Sequence, residues 1–352
     1  MFENKDSRTE LSQIGEFGLI EHLSKNIILK QENTLKGIGD DAAVIDPMGK
    51  MMVMTTDMLV EGVHFDLSYM PLKHLGYKSV VVNLSDVFAM NARPQQIVVS
   101  IALSSRFSLD AIEELYAGML SACDFYGVDL VGGDTTSSGA GLTINITAIG
   151  WADKDDIVYR SGAKYNDLVC VTGDIGAAYM GLQLLNREKA VFLENPQAQP
   201  DFSGYDYLLE RQLKPEARNG LFQMLQESGV KPTAMIDISD GLASEMLHIC
   251  KASECGCQIY EEKFPIDHLT RQLGIEFGID PTVAALNGGE DYELLFTIPL
   301  ADYEKIKDRS EISIIGHITD KAAGCSMVDR QNNVHELKAQ GWDALKGMKN
   351  GE

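Results

Sequence analysis

GIGDDAAVID, residues 37–46, places Asp40 and Asp41 side by side after a glycine-bracketed turn and follows them at once with an apolar run. Alone, the stretch reads as a tight turn with acidic caps before a strand, because Gly and Asp both serve turns. Adjacent carboxylates repel, however, and the arrangement recurs along the chain. Asp57 ends the apolar strand MMVMTTD (51–57), and Asp134 follows Gly132–Gly133 in DLVGGDTTSS (129–138). Asp237 and Asp240 lie where the apolar run of AMIDISDG (234–241) gives out, and Glu290 with Asp291 follows Gly288–Gly289. Asp86 joins them from a segment, 72–90, whose apolar positions Leu75, Val80, Val81, Leu84, Val87 and Phe88 have helical spacing. Strand ends and the loops after them are where α/β proteins build sites, so these acids are candidates for one cleft.

The remaining segments alternate in the same way. A helix is expected over 11–30, a buried strand at QQIVVSIAL (95–103), a capped helix over 108–127 and a strand at GLTINITAIGWA (141–152). A polar stretch around 152–166 reads as a linker. Beyond it come a strand at 167–176, helices near 177–190 and 215–229 with a loop between, strand–turn–helix over 234–253, turn and strand at 288–299, a helix near 301–309 and a strand around 312–318. The pattern gives an α/β fold class with α+β layers and two domains, 1–155 and 156–352.

With 30 Lys plus Arg against 52 Asp plus Glu, the formal charge of −22 argues against nucleic acid as a partner. No segment reads as a membrane span, a secretory signal or a transit peptide, so the expected compartment is the cytoplasm. Six cysteines at irregular spacing, with Cys255-x-Cys257 unlike a redox or zinc pair, are expected to be reduced and structural.

Two unit charges about 4 Å apart at an effective dielectric near 20 repel by about 4 kcal/mol, so converging acids would require cations. Carboxylates with Thr and Ser beside them are hard donors suited to Mg²⁺ or Mn²⁺, the common arrangement where phosphates complete the shell. No P-loop or kinase signature is present. Glycines at 132–133, 173–176 and 288–289 could instead let backbone amides approach phosphates, as could helix N-termini after TGDIG and DISDG.

GIGDDAAV, TTDMLVEGVHF, VNLSDVFAMNARP, GGDTTSS, RSGAKYNDLVCVTGDIG, IDISDGL and GGEDYELLFTI occur in an order that resembles the thiamine-monophosphate kinase family, within the aminoimidazole ribonucleotide synthetase superfamily. The resemblance implies ATP-dependent phosphorylation of thiamine monophosphate to thiamine diphosphate at a site holding several Mg²⁺ ions. It implies metal binding by Asp40, Asp41, Thr55, Thr56, Asp57, Asp86, Asp134, Asp237 and Asp240, with Asp57, Asp86 and Asp134 acting in catalysis through metal. Tyr116, Gly133, Arg160 and Ser239 match ATP contacts, and His64, Glu290 and Trp342 match substrate contacts. Asp174 has no assigned role. The superfamily pattern also implies a homodimer whose N-terminal sheets pair into a barrel. Two alternatives stay open: another ATP-using superfamily enzyme with a different acceptor, and a non-catalytic protein that binds divalent metal.

Overall fold

A computed structural model describes residues 34–36, 40–41, 43–47 and 49–341. The expected helix over 11–30 and Trp342 lie outside the described residues. Six strands form the first sheet: β1 (Thr34–Lys36), β2 (Ala43–Ile45), β3 (Met51–Val60), β4 (Arg93–Leu103), β5 (Asp129–Ser137) and β6 (Leu142–Ala152). Their order is β1-β2-β3-β6-β4-β5, antiparallel except for the β4–β5 pair. Along β6, Leu142, Ile144, Ile146 and Ala148 are buried while the residues between them are partly exposed, so one face carries the core.

Helices α1 (Leu72–Ala89) and α2 (Leu109–Tyr126) accompany this sheet. They approach closely because each carries a glycine at the crossing. A Cβ on Gly76 would stand 1.9 Å from the Leu115 carbonyl oxygen, and one on Gly118 1.9 Å from that of Lys73. Ser108 caps α2 by accepting from the Ala111 amide at 3.3 Å, as its sequence leads one to expect. Helix α1 is buried nearly all round, polar Lys78, Ser79, Asn83 and Ser85 included, because it packs against β3, β4 and β6, α2 and the second half of the chain.

The glycine pair in β5 does not open a turn. The strand runs on to Ser137 as the sheet's edge, and a Cβ on Gly133 would stand 1.9 Å from the Val99 carbonyl oxygen, so the glycine permits close lateral pairing.

The second sheet comprises β7 (Leu168–Thr172), β8 (Ala234–Ile238), β9 (Gly256–Tyr260), β10 (Glu293–Ile298), β11 (Ile312–Thr319), β12 (Cys325–Val328) and β13 (Val334–Glu336), in the order β13-β12-β9-β11-β7-β10-β8. Its pairs are antiparallel apart from β9–β12. Helices α3 (Ala177–Glu194), α4 (Asp206–Leu213), α5 (Asn219–Ser228), α6 (Leu242–Ser253), α7 (His268–Phe277), α8 (Pro281–Asn287) and the short α9 (Tyr303–Ile306) complete it. Strand β7 stops at Thr172 rather than running to 176, because Gly173 turns the chain with φ +53°. One apolar cluster unites Val53, Leu84 and Ile146 with Met235, Phe296 and Ile298, so the halves share a core. Among the described residues no helix is long and apolar enough to cross a membrane.

Candidate active site

The motif Asn83-Leu84-Ser85-Asp86 near the end of α1 organises the acids. Asn83 Oδ1 accepts from the Asp57 amide at 2.9 Å, Ser85 Oγ donates to Asp237 Oδ2 at 2.7 Å, and Thr55 Oγ1 donates to Asp86 Oδ2 at 2.6 Å. One helical turn thereby ties the middle of β3 to the end of β8. Asp41, Asp86 and Asp237 each place a carboxylate oxygen within 4.8 Å of the others.

Burial, and then the charges of Asp57, Asp237 and Asp41, hold the Asp86 carboxyl well above its ordinary range. Asp237 is pushed up likewise by burial and by Asp41. Arg160 offsets part of this charge through a two-pronged pair with Asp41, at 3.0 Å from Nε and 2.7 Å from an Nη nitrogen, and its amide donates to Asp40 Oδ1 at 3.0 Å.

Asp57, Asp86, Asp237, Ser239 and Asp240 line a cavity of about 430 Å³. His64 and Glu290 also line it. The Nδ1 of His64 accepts from the Val60 amide at 3.0 Å, which leaves the proton of the neutral ring on Nε2. Glu290 takes a left-handed φ of +59° and is fixed by Lys78 at 2.9 Å and by Gln212 Nε2 at 2.8 Å.

Lys78, 1% exposed, and Gln212 are site residues that sequence reasoning missed. The available signal was a lysine amid the apolar positions of α1, a cation that would be costly to bury without a carboxylate opposite.

Other expected members sit elsewhere. Strand alternation turns Thr56 to the opposite face from Thr55 and Asp57, where its hydroxyl donates to the Ile146 carbonyl at 3.1 Å. Gly133 and Asp134 lie on exposed edge strand β5, and Tyr116 lies half-buried on α2 against the core; none lines the cavity. The amides of TGDIG are engaged within the fold. Gly173 donates to the Glu311 carbonyl at 3.0 Å, Ile175 to that of Pro265 at 2.9 Å, and Gly176 to Asp291 Oδ2 at 2.8 Å. The anion at the start of α3 is therefore Asp291 itself, which corrects the expectation of a phosphate cradle there. Asp174 accepts from the Tyr207 hydroxyl, and burial pushes its carboxyl up.

Two α/β layers meeting at an aspartate-lined cleft define the class of protein, and residues 39–152 match the family described as AIR synthase related protein, N-terminal domain. The thiamine-monophosphate kinase of Buchnera aphidicola (subsp. Schizaphis graminum) is 36% identical over 329 residues, 92% of this chain and 96% of the relative. That of Bacillus subtilis is 34% identical over 337 residues, 94% of this chain and 99% of the relative. Among solved structures, AaThiL complexed with AMPPCP and TMP superimposes with a TM-score of 0.82 at 31% identity, covering 96% of this chain and 99% of that one. This chain belongs to the thiamine-monophosphate kinase family.

Proposed function

We propose that the cleft transfers the γ-phosphoryl group of ATP to thiamine monophosphate, giving thiamine diphosphate and ADP. The observation that carries this reading is the convergence of Asp41 with Asp86 and Asp237, the latter two lining a cavity that His64 and Glu290 also line. Relatives named for this activity, and a structural relative solved with AMPPCP and TMP, support it. The acceptor is a phosphate monoester with second pKa near 6, mostly dianionic at pH 7, so it attacks without a strong general base. Its oxygen bonds the γ-phosphorus in line as the bond to the β–γ bridging oxygen breaks, and ADP leaves with the electron pair.

Carboxyls pushed up by burial and then by one another's charge, with hydroxyl partners and hard oxygen donors, fit Mg²⁺. Asp41, Asp86 and Asp237 would hold it, with Asp57 and Asp240 on the cavity wall; bound there, it supplies charge neutralisation and alignment for two anionic reactants. Asp40 and Thr55, beside Arg160 and Asp86, complete the proposed metal set, and Thr56 and Asp134, which do not line the cavity, are assigned to it on the family resemblance alone. Tyr116, Gly133, Arg160 and Ser239 are assigned to ATP, and His64, Glu290 and Trp342 to the thiamine end. Asn83 and Ser85 keep the acids in register, and the Lys78–Glu290 pair fixes the carboxylate orientation.

Residues 1–155 and 156–352 divide this work as two domains. Gly133 and Asp134 on an exposed edge strand are accessible to a second copy, which supports a homodimer. Free cysteines fit a cytoplasmic setting.

The test is chromatographic: ATP, Mg²⁺ and thiamine monophosphate with purified protein, following thiamine diphosphate and ADP together. Equimolar products, lost with EDTA and absent with thiamine as acceptor, are expected. ADP without the diphosphate would reject this acceptor, and turnover undiminished by EDTA would reject the metal site.

A further inference from the structure

Three of the six cysteines gather outside the lining of the cleft, with a fourth on the adjoining turn. Cys250 lies near the end of α6, Cys257 in β9 and Cys325 in β12, and their sulfurs stand within 4.8 Å of one another. Cys255, on the turn from α6 to β9, packs partly buried against the same apolar cluster that holds Cys250 and Cys257. The backbone fixes this meeting. Glu254 closes the helix at φ +54°, and the Cys255 amide donates to the Cys250 carbonyl at 3.1 Å. Parallel pairing sets Cys257 opposite Cys325. Gly256 lets the neighbouring loop press in, since a Cβ there would stand 2.3 Å from the Gly324 carbonyl oxygen.

Thiols bury as small hydrophobes with weak hydrogen bonds, so packing alone does not require three of them, from three separate elements, to point at one another. Soft divalent metal does explain the collection. Zinc bonded to sulfur at about 2.3 Å spaces tetrahedral thiolates about 3.8 Å apart, so a small inward movement would close the cluster. The surroundings are apolar and include Ile249, Ile259, Ile318 and Leu337, which suits a closed structural site rather than a hydrated hard ion.

The geometry points to a zinc site held by Cys250, Cys257 and Cys325, with Cys255 on the adjoining turn as the fourth thiolate. Binding releases a proton from each thiol that is still protonated. The metal would clamp the end of α6 to β9 and β12. That helix begins next to Ser239 and Asp240, and Ser253 in its last turn donates to the Arg160 carbonyl at 3.3 Å. The clamp therefore braces the acidic site from behind.

The test uses the full chain, purified under reducing conditions from zinc-supplemented medium and analysed for metal by mass spectrometry. One zinc per chain is expected, retained against excess Mg²⁺ and released with a mercurial that titrates thiols. Co²⁺ added to metal-stripped protein should give intense thiolate-to-metal charge-transfer absorption. Cys325→Ser and Cys255→Ser, at partly exposed positions, should lose that absorption and the bound zinc, while Cys123→Ser, outside the cluster, should keep both. Absence of zinc together with absence of the cobalt band overturns the site. So does a disulfide among these cysteines in the isolated protein, and stoichiometric iron in place of zinc overturns the assignment of the metal.

Discussion

Two groups of buried carboxylates lie in this chain, and they are neutralised differently. Behind the second sheet, Glu293 receives Arg211 at 2.9 Å, Arg218 and the Thr172 hydroxyl at 2.6 Å, while Asp291 caps α3 through the Gly176 amide at 2.8 Å. That group carries its own cations and spans β7, β10 and the helices beside them. In the cleft, Asp86 and Asp237 receive hydroxyls from Thr55 and Ser85, and Arg160 is engaged mainly with Asp41. Asp86 and Asp237 are thus held in place by neutral hydroxyl donors, while Asp41 takes the arginine. A carboxylate paired inside the fold serves structure, whereas one oriented but undercompensated is ready for a cation from outside.

The largest expected effect breaks the self-sufficient group. Arg211→Met leaves Glu293 and Asp291 underpaired, and should cost about 3–5 kcal/mol of stability, read by denaturant unfolding. An unchanged midpoint would mean that Arg218 alone suffices.

Next comes the cleft. Asp86→Asn should lower kcat by about 10²–10³-fold, as losing one electrostatic contributor to a transition state does, while raising the thermal midpoint of metal-free protein by relieving repulsion. A parallel fall in both would assign Asp86 a structural role and erase the contrast.

Mg²⁺ itself sharpens the comparison. At 100 times its dissociation constant it should stabilise the wild type by about 2.7 kcal/mol, with the gain much reduced in Asp237→Asn. Equal gains in both proteins would place the ion elsewhere.

The shallowest effect is a pH slope. Burial holds the Asp291 carboxyl up at about 7, from an ordinary value of 3.8. Between those values the folded state binds more protons than the unfolded one, so this group makes stability fall as pH rises from about 4 to 7, at no more than about 1.4 kcal/mol per pH unit. Asp291→Asn should flatten the slope. A slope identical to that of the wild type would show that Asp291 ionises at its ordinary value.

Much of this was legible in sequence. Strands β3, β6 and β8 and helices α1 and α2 follow from periodicity and caps, and Asp237 and Asp240 were visible at a strand end and Asp86 on a helix, whereas Asp57, expected to end its strand, lies within β3, which runs on to Val60. Helices α4, α7 and α8 and strands β9 and β12 escaped notice, because they are short and their apolar positions are set by neighbours distant in sequence. The expected turn at Gly132–Gly133 failed for a related reason: glycine also permits lateral closeness, and only β4 alongside decides which use applies.

The sequence by itself determined the alternation of layers, the surplus of acid and the hard-donor chemistry of the cleft, since these depend on residue types and near-neighbour spacing. Tertiary structure alone decided which acids meet. It turned Thr55 toward Asp86 and Thr56 away, matched Lys78 to Glu290, assigned Asp291 to a helix end, and gathered Cys250, Cys257 and Cys325 from separate elements. Charge and ligation energies fall steeply over a few ångströms, and separations that short between distant segments are fixed by packing rather than by order along the chain.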